Sequence, residues 1–217
     1  IKVWDAAAGI EAFTLDAAAG GHDADVTSLA FEPTGKRLVS GGDDKKIVVW
    51  DLTTRKPITT LQVDQRLPYM LWSVKGDKFV VWQSVARGDN ETNNFKSYDP
   101  EGKPLNSLDL KDRKVLCCTF SVDGEMTALG FADGSVQLWD MKKNERVGGD
   151  WAAFSKDLGD MAITPDKTKI IAASLDCQVK IYDIAGKKVL KEFQAHKTNL
   201  NGVMVGPNGN RFATISD

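Results

Sequence analysis

Apolar residues in this chain fall in short runs separated by turn formers. Between Gly21 and Asp51 three runs follow one another, Val26–Phe31, Arg37–Ser40 and Ile47–Trp50, each rich in strand-forming residues. Glu32-Pro33-Thr34-Gly35 separates the first two, with Pro fixing φ and Gly supplying a permissive end. Gly42-Asp43-Asp44-Lys45 separates the second and third. The pattern predicts an antiparallel meander.

The same pattern returns along the chain. The closing dipeptide recurs as Trp4-Asp5, Trp50-Asp51, Tyr98-Asp99, Trp139-Asp140 and Tyr182-Asp183. The first turn recurs as Ser121-Val122-Asp123-Gly124, Thr164-Pro165-Asp166-Lys167 and Gly206-Pro207-Asn208-Gly209, and more weakly as Lys75-Gly76-Asp77-Lys78. After each dipeptide a more polar segment predicts an outer, half-exposed fourth strand: Glu11–Leu15, Ile58–Val63, Leu105–Leu110, Arg146–Trp151 and Val189–Gln194. The small-residue stretch Asp16-Ala17-Ala18-Ala19-Gly20-Gly21 reads as a flexible loop with nothing to pack.

Gly21-His22, Asp44 and Trp50-Asp51, in this order and spacing, resemble one unit of the WD-repeat β-propeller family, in which a repeat of roughly 40 to 45 residues forms a four-stranded blade. The resemblance implies an all-β propeller of antiparallel blades. Five blades' worth of sequence are present, four complete and one split between the termini, in pieces at about 1–16, 22–64, 65–110, 111–152, 153–195 and 196–217. Ile1 opens in a third strand and Asp217 closes after a second. The two ends either complete a five-bladed ring or mark an excerpt from a longer propeller. The family's usual size of about seven blades, and the strand edges an open ring leaves unpaired, favour the excerpt, so 1–217 is read as a single partial propeller.

The resemblance also assigns the polar residues of the second repeat. Trp50 Nε1–H is expected to donate to the Ser40 hydroxyl, Ser40 to one His22 nitrogen, and His22 to give its other N–H to Asp44, so that every buried donor meets an acceptor. As a hydrolase triad the set fails: the hydroxyl is buried and already accepting from an indole, with no oxyanion hole and no strand-to-helix elbow to expose it. The other repeats depart from this pattern. The third has Asp64 at the His position and a polar insertion, Ala86 to Asn94, beside Trp82. The fourth has Lys111 for His and Leu129 for Ser, keeping Asp133 and Trp139. The fifth has Phe154, Ala172, Asp176 and Tyr182. The last regains His196, with Thr214 at the Ser position. Most blades are therefore expected to rely on apolar packing between sheets.

Family members mostly dock peptides or proteins on the face carrying the loops between fourth and first and between second and third strands. That face projects here onto Asp23, Asp25, Lys45, Arg66, Arg87, Asp112, Arg113, Lys156, Gln178 and Lys197, a mixture of signs suited to specific polar contact. The partner-binding candidates are Lys45, Arg66, Trp82, Arg87, Asn90, Arg113, Lys156 and Lys197. Trp72 and Trp82 read as inter-sheet core, and Trp82 becomes a partner anchor only if it surfaces beside the inserted loop. The resulting expectation is a non-enzymatic scaffold for protein or peptide partners within a larger assembly, with no cofactor, metal or catalytic residue. The alternative is a regulatory or sensory propeller of a multidomain enzyme whose catalytic part lies outside this sequence. A site in the channel mouth is disfavoured because the inner strands Val26–Phe31, Val115–Phe120 and Met161–Thr164 offer almost no titratable groups.

Composition narrows the classes further. The 217 residues are 42% hydrophobic and 27% charged with a net charge of −2, which is ordinary for a globular chain. No Lys/Arg stripe suggests a phosphate-tracking surface, so nucleic acid is not expected as a partner. No apolar run approaches the roughly 20 residues of a membrane span. Cys117 and Cys118 are neighbours on a first strand and are expected to point to opposite faces, one buried and one outward. With Cys177 they form an odd set without ligand spacing, which favours a reducing, cytoplasmic setting. Asn90-Glu91-Thr92 matches a glycosylation acceptor, and Asp89, Asn90 and Glu91 could contact calcium, but the solvated-loop reading outweighs both.

Overall fold

The computed structural model describes residues 1–63, 69–73, 75–82, 95–105, 108, 110, 113–143, 145–151 and 154–217. They form two compact parts, one of Ile1–Gln83 with Phe95–Ser107 and one of Leu108–Asp217. Every sheet is an antiparallel meander in chain order. The first part holds three sheets: β1 (Lys2–Asp5) with β2 (Ile10–Thr14); β3 (Val26–Phe31), β4 (Arg37–Gly42), β5 (Lys46–Asp51) and β6 (Lys56–Gln62); and β7 (Tyr69–Trp72), β8 (Phe79–Trp82) and β9 (Lys96–Tyr98). The second part also holds three: β10 (Val115–Phe120), β11 (Met126–Phe131), β12 (Val136–Asp140) and β13 (Glu145–Arg146); β14 (Leu158–Ile163), β15 (Lys169–Ser174), β16 (Gln178–Asp183) and β17 (Lys188–Gln194); and β18 (Leu200–Val205) with β19 (Phe212–Ser216).

Recurrent local chemistry builds these sheets. The first turn closes through an i+3 bond whose donor is Gly35, Gly76, Gly124, Lys167 or Gly209, each at positive φ. In the third sheet that turn runs from Ser73 to Gly76, two residues earlier than the sequence pattern placed it. The strands β3, β10, β14 and β18 each carry a bulge after their first residue, which sharpens local twist. In the fifth sheet the bulged residue is Gly159, whose backbone lies so close to the Leu200 carbonyl of β18 that a Cβ would overlap it. The aspartate of each Trp/Tyr-Asp pair caps the turn into the fourth strand. Asp51 Oδ1 accepts the Thr53 and Thr54 amides at 2.7 and 3.1 Å, and Asp5, Asp99, Asp140 and Asp183 do the same in their own sheets. Those backbone donors hold the Asp51 and Asp140 carboxyls below their usual values.

Apolar residues from facing sheets fill the space between them. In the first part Trp50, Leu38, Val48 and Leu15 pack with Val3 and Phe13 of the first sheet. The opposite face of the second sheet, Val39, Ile47 and Val49, meets Met70, Trp72, Phe79 and Tyr98 of the third. In the second part Ala128, Val136, Leu138 and Trp151 meet Leu158, Met161, Ile170 and Tyr182. Ile171, Ala173 and Val179 then meet Leu200 and Val203. One expectation changes here: Cys117 and Cys118 point to opposite faces, yet both are buried, and burial pushes the Cys118 thiol up to about 12 and Cys117 upward as well.

Three further expectations change. Asp16–Gly21 is a capped 3-10 turn: the Asp16 side chain accepts the Ala19 amide at 3.0 Å, Gly20 takes a left-handed conformation, and Ala19 packs toward Trp50. The fourth strand expected over Leu105–Leu110 shows, among the described residues, only a bridge between Tyr98 and Pro104, with the Leu105 amide donating to the Ser97 carbonyl at 2.9 Å. The strand expected over Arg146–Trp151 ends at Arg146, with the Val147 amide still donating to the Leu138 carbonyl, then turns away at Gly148 (φ +81°) and rejoins β12 at Trp151.

Lys167 is the exception among the first-turn residues. It holds φ +57° where its counterparts are glycines, a conformation disfavoured by its Cβ. Its ammonium reaches the neighbouring sheet's turn, bonding Asp123 and lying 3.6 Å from Glu125, and the Lys167 bond helps hold the Asp123 carboxyl far below its usual value against the burial that raises it. Lys167→Met is expected to lower the urea midpoint in the natural background and to lose most of that effect when Asp123 is Asn. Equal drops in both backgrounds would exclude a coupled pair.

Candidate functional site

The second sheet brings His22, Ser40, Asp44 and Trp50 together. Trp50 Nε1–H donates to Ser40 Oγ at 2.8 Å, and Ser40 Oγ lies 2.7 Å from His22 Nε2. His22 Nδ1 lies 2.9 and 3.0 Å from the two Asp44 oxygens. The carboxylate can only accept, so Nδ1 carries the proton and Nε2 accepts from the serine. Asp44 also accepts the Asp23 and Lys46 amides, each at 3.1 Å. The His22 and Asp44 side chains are 2% and 4% exposed. Burial alone would raise the Asp44 carboxyl, but the bonds from His22, Asp23 and Lys46 outweigh it and hold the group below its usual range.

Two glycines make room for this set, a role that the sequence pattern, which marks Gly21 in the Gly-His pair and Gly42 in a turn, does not assign to them. A Cβ on Gly42 would lie 2.7 Å from His22 Nδ1 and 2.9 Å from Asp44 Oδ1. A Cβ on Gly21 would lie 2.7 Å from the Trp50 ring. The signal was the Gly directly before His22 and the Gly two residues before Asp44.

The fourth sheet corrects the expectation of simple apolar packing. Trp139 Nε1–H donates to Gln137 Oε1 at 3.1 Å, and Gln137 Nε2 donates to Asp150 at 2.7 Å. Arg113 donates to Asp150 at 2.8 Å and to both oxygens of Asp133 at 3.0 and 2.7 Å, and its guanidinium lies 3.9 Å from the Phe131 ring centre. Burial would raise Asp133 and Asp150. The Ser135 and Arg113 bonds to Asp133, and those from Gln137 and Arg113 to Asp150, lower both overall. The fifth sheet places other groups at these positions. Phe154 lies 4.7 Å from the Lys180 ammonium, which pairs with Glu192, while Asp176 accepts from the Ser155 hydroxyl at 2.7 Å. In the last sheet His196 lies 2.9 Å from Thr214 Oγ1 and 3.0 Å from Ser216 Oγ.

The partner-binding candidates divide. Lys45, Lys156 and Lys197 are exposed on turns. Arg113 is committed to its two aspartates and is only 19% exposed. Trp82 is 7% exposed and stacks on Tyr69 at 5.5 Å, so it is not a surface anchor, and Trp72 is buried as well. Arg66, Arg87, Asn90, Asp64, Lys111, Asp112 and the insertion Ala86 to Asn94 lie outside the described residues. One titratable group was missed on an inner strand. β14 begins at Leu158 and so includes Asp160, whose carboxylate accepts the Val203 and Met161 amides at 2.9 and 2.8 Å.

Asp44→Ala should cost about 2–4 kcal/mol, because it strands a buried imidazole N–H and two amides, and Ser40→Ala about 1–3 kcal/mol through the orphaned indole. Unchanged denaturation midpoints would contradict both. The lowered carboxyls Asp44, Asp133 and Asp150 set the sign of the acid response. Their stabilisation is complete above the unfolded value of about 4 and is withdrawn as pH falls through the lower folded values. Urea titrations should show a midpoint that drops below about pH 4, and a midpoint that rises on acidification would refute the assignment.

A family model for the WD domain, G-beta repeat, matches residues 13–51, 102–140 and 152–183, together just over half of the chain. Each matched segment ends on the aspartate of a Trp/Tyr-Asp pair, and the deviant third repeat, ending at Tyr98-Asp99, is not matched. The chain is also similar to eukaryotic translation initiation factor 3 subunit I of Drosophila virilis, Drosophila yakuba and Drosophila melanogaster. Each is 21% identical over 212 residues, covering 95% of this chain. The chain spans 64% of the length of these relatives. With antiparallel sheets, turn-capping aspartates and the buried Trp-Ser-His-Asp set in hand, the family match identifies this chain as a member of the WD-repeat β-propeller family.

Proposed function

We propose that this chain is a non-enzymatic scaffold that docks peptides or protein partners on the loops joining fourth to first and second to third strands, as part of a larger assembly. The observation that carries the reading is the likeness, over 95% of the chain, to a protein named as a subunit of a multi-subunit factor. The site geometry supports it. Ser40, His22 and Asp44, the only residues arranged like a hydrolase triad among those described, are bonded to one another and to an indole, and the imidazole and carboxylate are sealed from solvent. No described helix is long and apolar enough to cross a membrane.

The proposed contacts are Lys45, Lys156 and Lys197, together with Arg66, Arg87 and Asn90, which the repeat pattern of the sequence assigns to such loops and which lie outside the described residues. Lys45 sits at φ +60° at the tip of the turn between β4 and β5, and Lys156 and Lys197 are exposed just ahead of β14 and β18. Reversing Lys45, Lys156 and Lys197 to Glu in the intact protein should reduce recovery of at least one co-purifying protein by about tenfold, the scale of losing several charged contacts. Recovery of the same proteins at the same yield would contradict docking on these turns.

A further inference from the structure

The fourth sheet carries a cleft of about 460 Å³ whose lining includes Arg113, Arg146, Gln137, Asp150 and Trp139. Two hydrogen bonds converge there on a single atom, Asp150 Oδ1, from Arg113 at 2.8 Å and the Gln137 amide at 2.7 Å, and the Arg146 guanidinium lies 3.0 Å from the same oxygen as an ion pair. One carboxylate oxygen offers two lone pairs, so the two bonds saturate it and the Arg146 guanidinium is met by charge alone, while the other oxygen meets none of the three groups. The donors are fixed in advance. Gln137 is buried, and because an indole can only donate, Trp139 forces the amide oxygen toward itself and the NH2 group outward. Arg113 is pinned over the Phe131 ring and by Asp133.

Asp150 is the loose member. Its side chain is 48% exposed, and it follows Gly148 and Gly149, the first at φ +81° and the second with open space around its Cα. Rotating Asp150 away leaves two guanidiniums against Asp133 alone, a locally cationic socket beside an indole. We propose that Arg113, Arg146 and Gln137 form a receptor for a carboxylate side chain on an acidic segment of a protein partner, and that Asp150 occupies this receptor in the free protein. An incoming carboxylate can spread its two oxygens across the three donors, the bidentate geometry guanidinium groups favour. Asp150 thereby acts as an internal competitor that sets the threshold for docking. This rests on the scaffold reading and gives it a partner chemistry.

Fluorescence anisotropy with a labelled hexaglutamate peptide at low salt tests the proposal on the intact protein. Asp150→Ala, and Asp150→Asn as the variant that preserves shape, should bind the peptide about tenfold more tightly than the natural protein. Adding Arg146→Gln or Arg113→Gln should abolish the gain. Glu101→Ala, which makes the same change in net charge on an exposed turn outside the projected docking face, should leave binding unaltered. The proposal is overturned if no variant binds the peptide, if freeing Asp150 gives no gain, if the gain survives loss of both arginines, or if Glu101→Ala reproduces it. Any of these would leave co-purification of partners through the exposed lysines untouched, so the two readings fail separately.

Discussion

A sheet covered on both faces must resolve every polar group that its edge carries inward, and in this chain that demand concentrates at one place. The connection from one sheet enters the next beside the Trp or Tyr that ends the third strand. In the second sheet the buried indole N–H of Trp50 finds Ser40, the serine finds His22, and the imidazole finds Asp44. An unmet donor there would cost about 1–3 kcal/mol. The fourth sheet meets the same demand with Gln137, Asp150 and Arg113. The position is constant and the chemistry is not. Trp72, Trp82 and Trp151 lie elsewhere in their sheets and bury indole N–H groups with no partner among the described residues.

This explains which features could be read from residue order. Val26–Phe31 and Val115–Phe120 were legible to the residue, because strand formers there are bounded by turns with Gly at the left-handed position. The Trp-Ser-His-Asp set was legible because its residue types occupy fixed offsets within one repeat. The Arg113–Asp150–Gln137 set was not. Its members come from three segments, and Arg113 stands two positions after the expected histidine, so only the fold brings them together. Gly21 and Gly42 were visible as glycines, but the need for them appears only once the Trp50 ring and the His22–Asp44 pair are placed. The segment Leu105–Leu110 carries the right alternation for a strand, and among the described residues its pairing with β9 reaches Leu105, whose amide donates to the Ser97 carbonyl.

A frame whose Ser, His and Asp are consumed internally leaves its surface turns to do the binding. Polar groups inside the sheets hold one conformation, while the exposed lysines on the turns are free of that duty. The fourth sheet lies between these extremes: its arginines are shared between a structural role with Asp133 and a carboxylate that can leave.

The central claim is that the Ser40–His22–Asp44 relay is a closed structural chain of bonds. Nitrogen-15 NMR of the His22 ring tests it most directly, read together with solvent exchange of the Trp50 indole proton. A protonated Nδ1, a bare Nε2 and an indole proton as slow to exchange as the amides of β4 and β5 are the predicted result. A proton on Nε2, or an indole proton exchanging as freely as an exposed one, would contradict it.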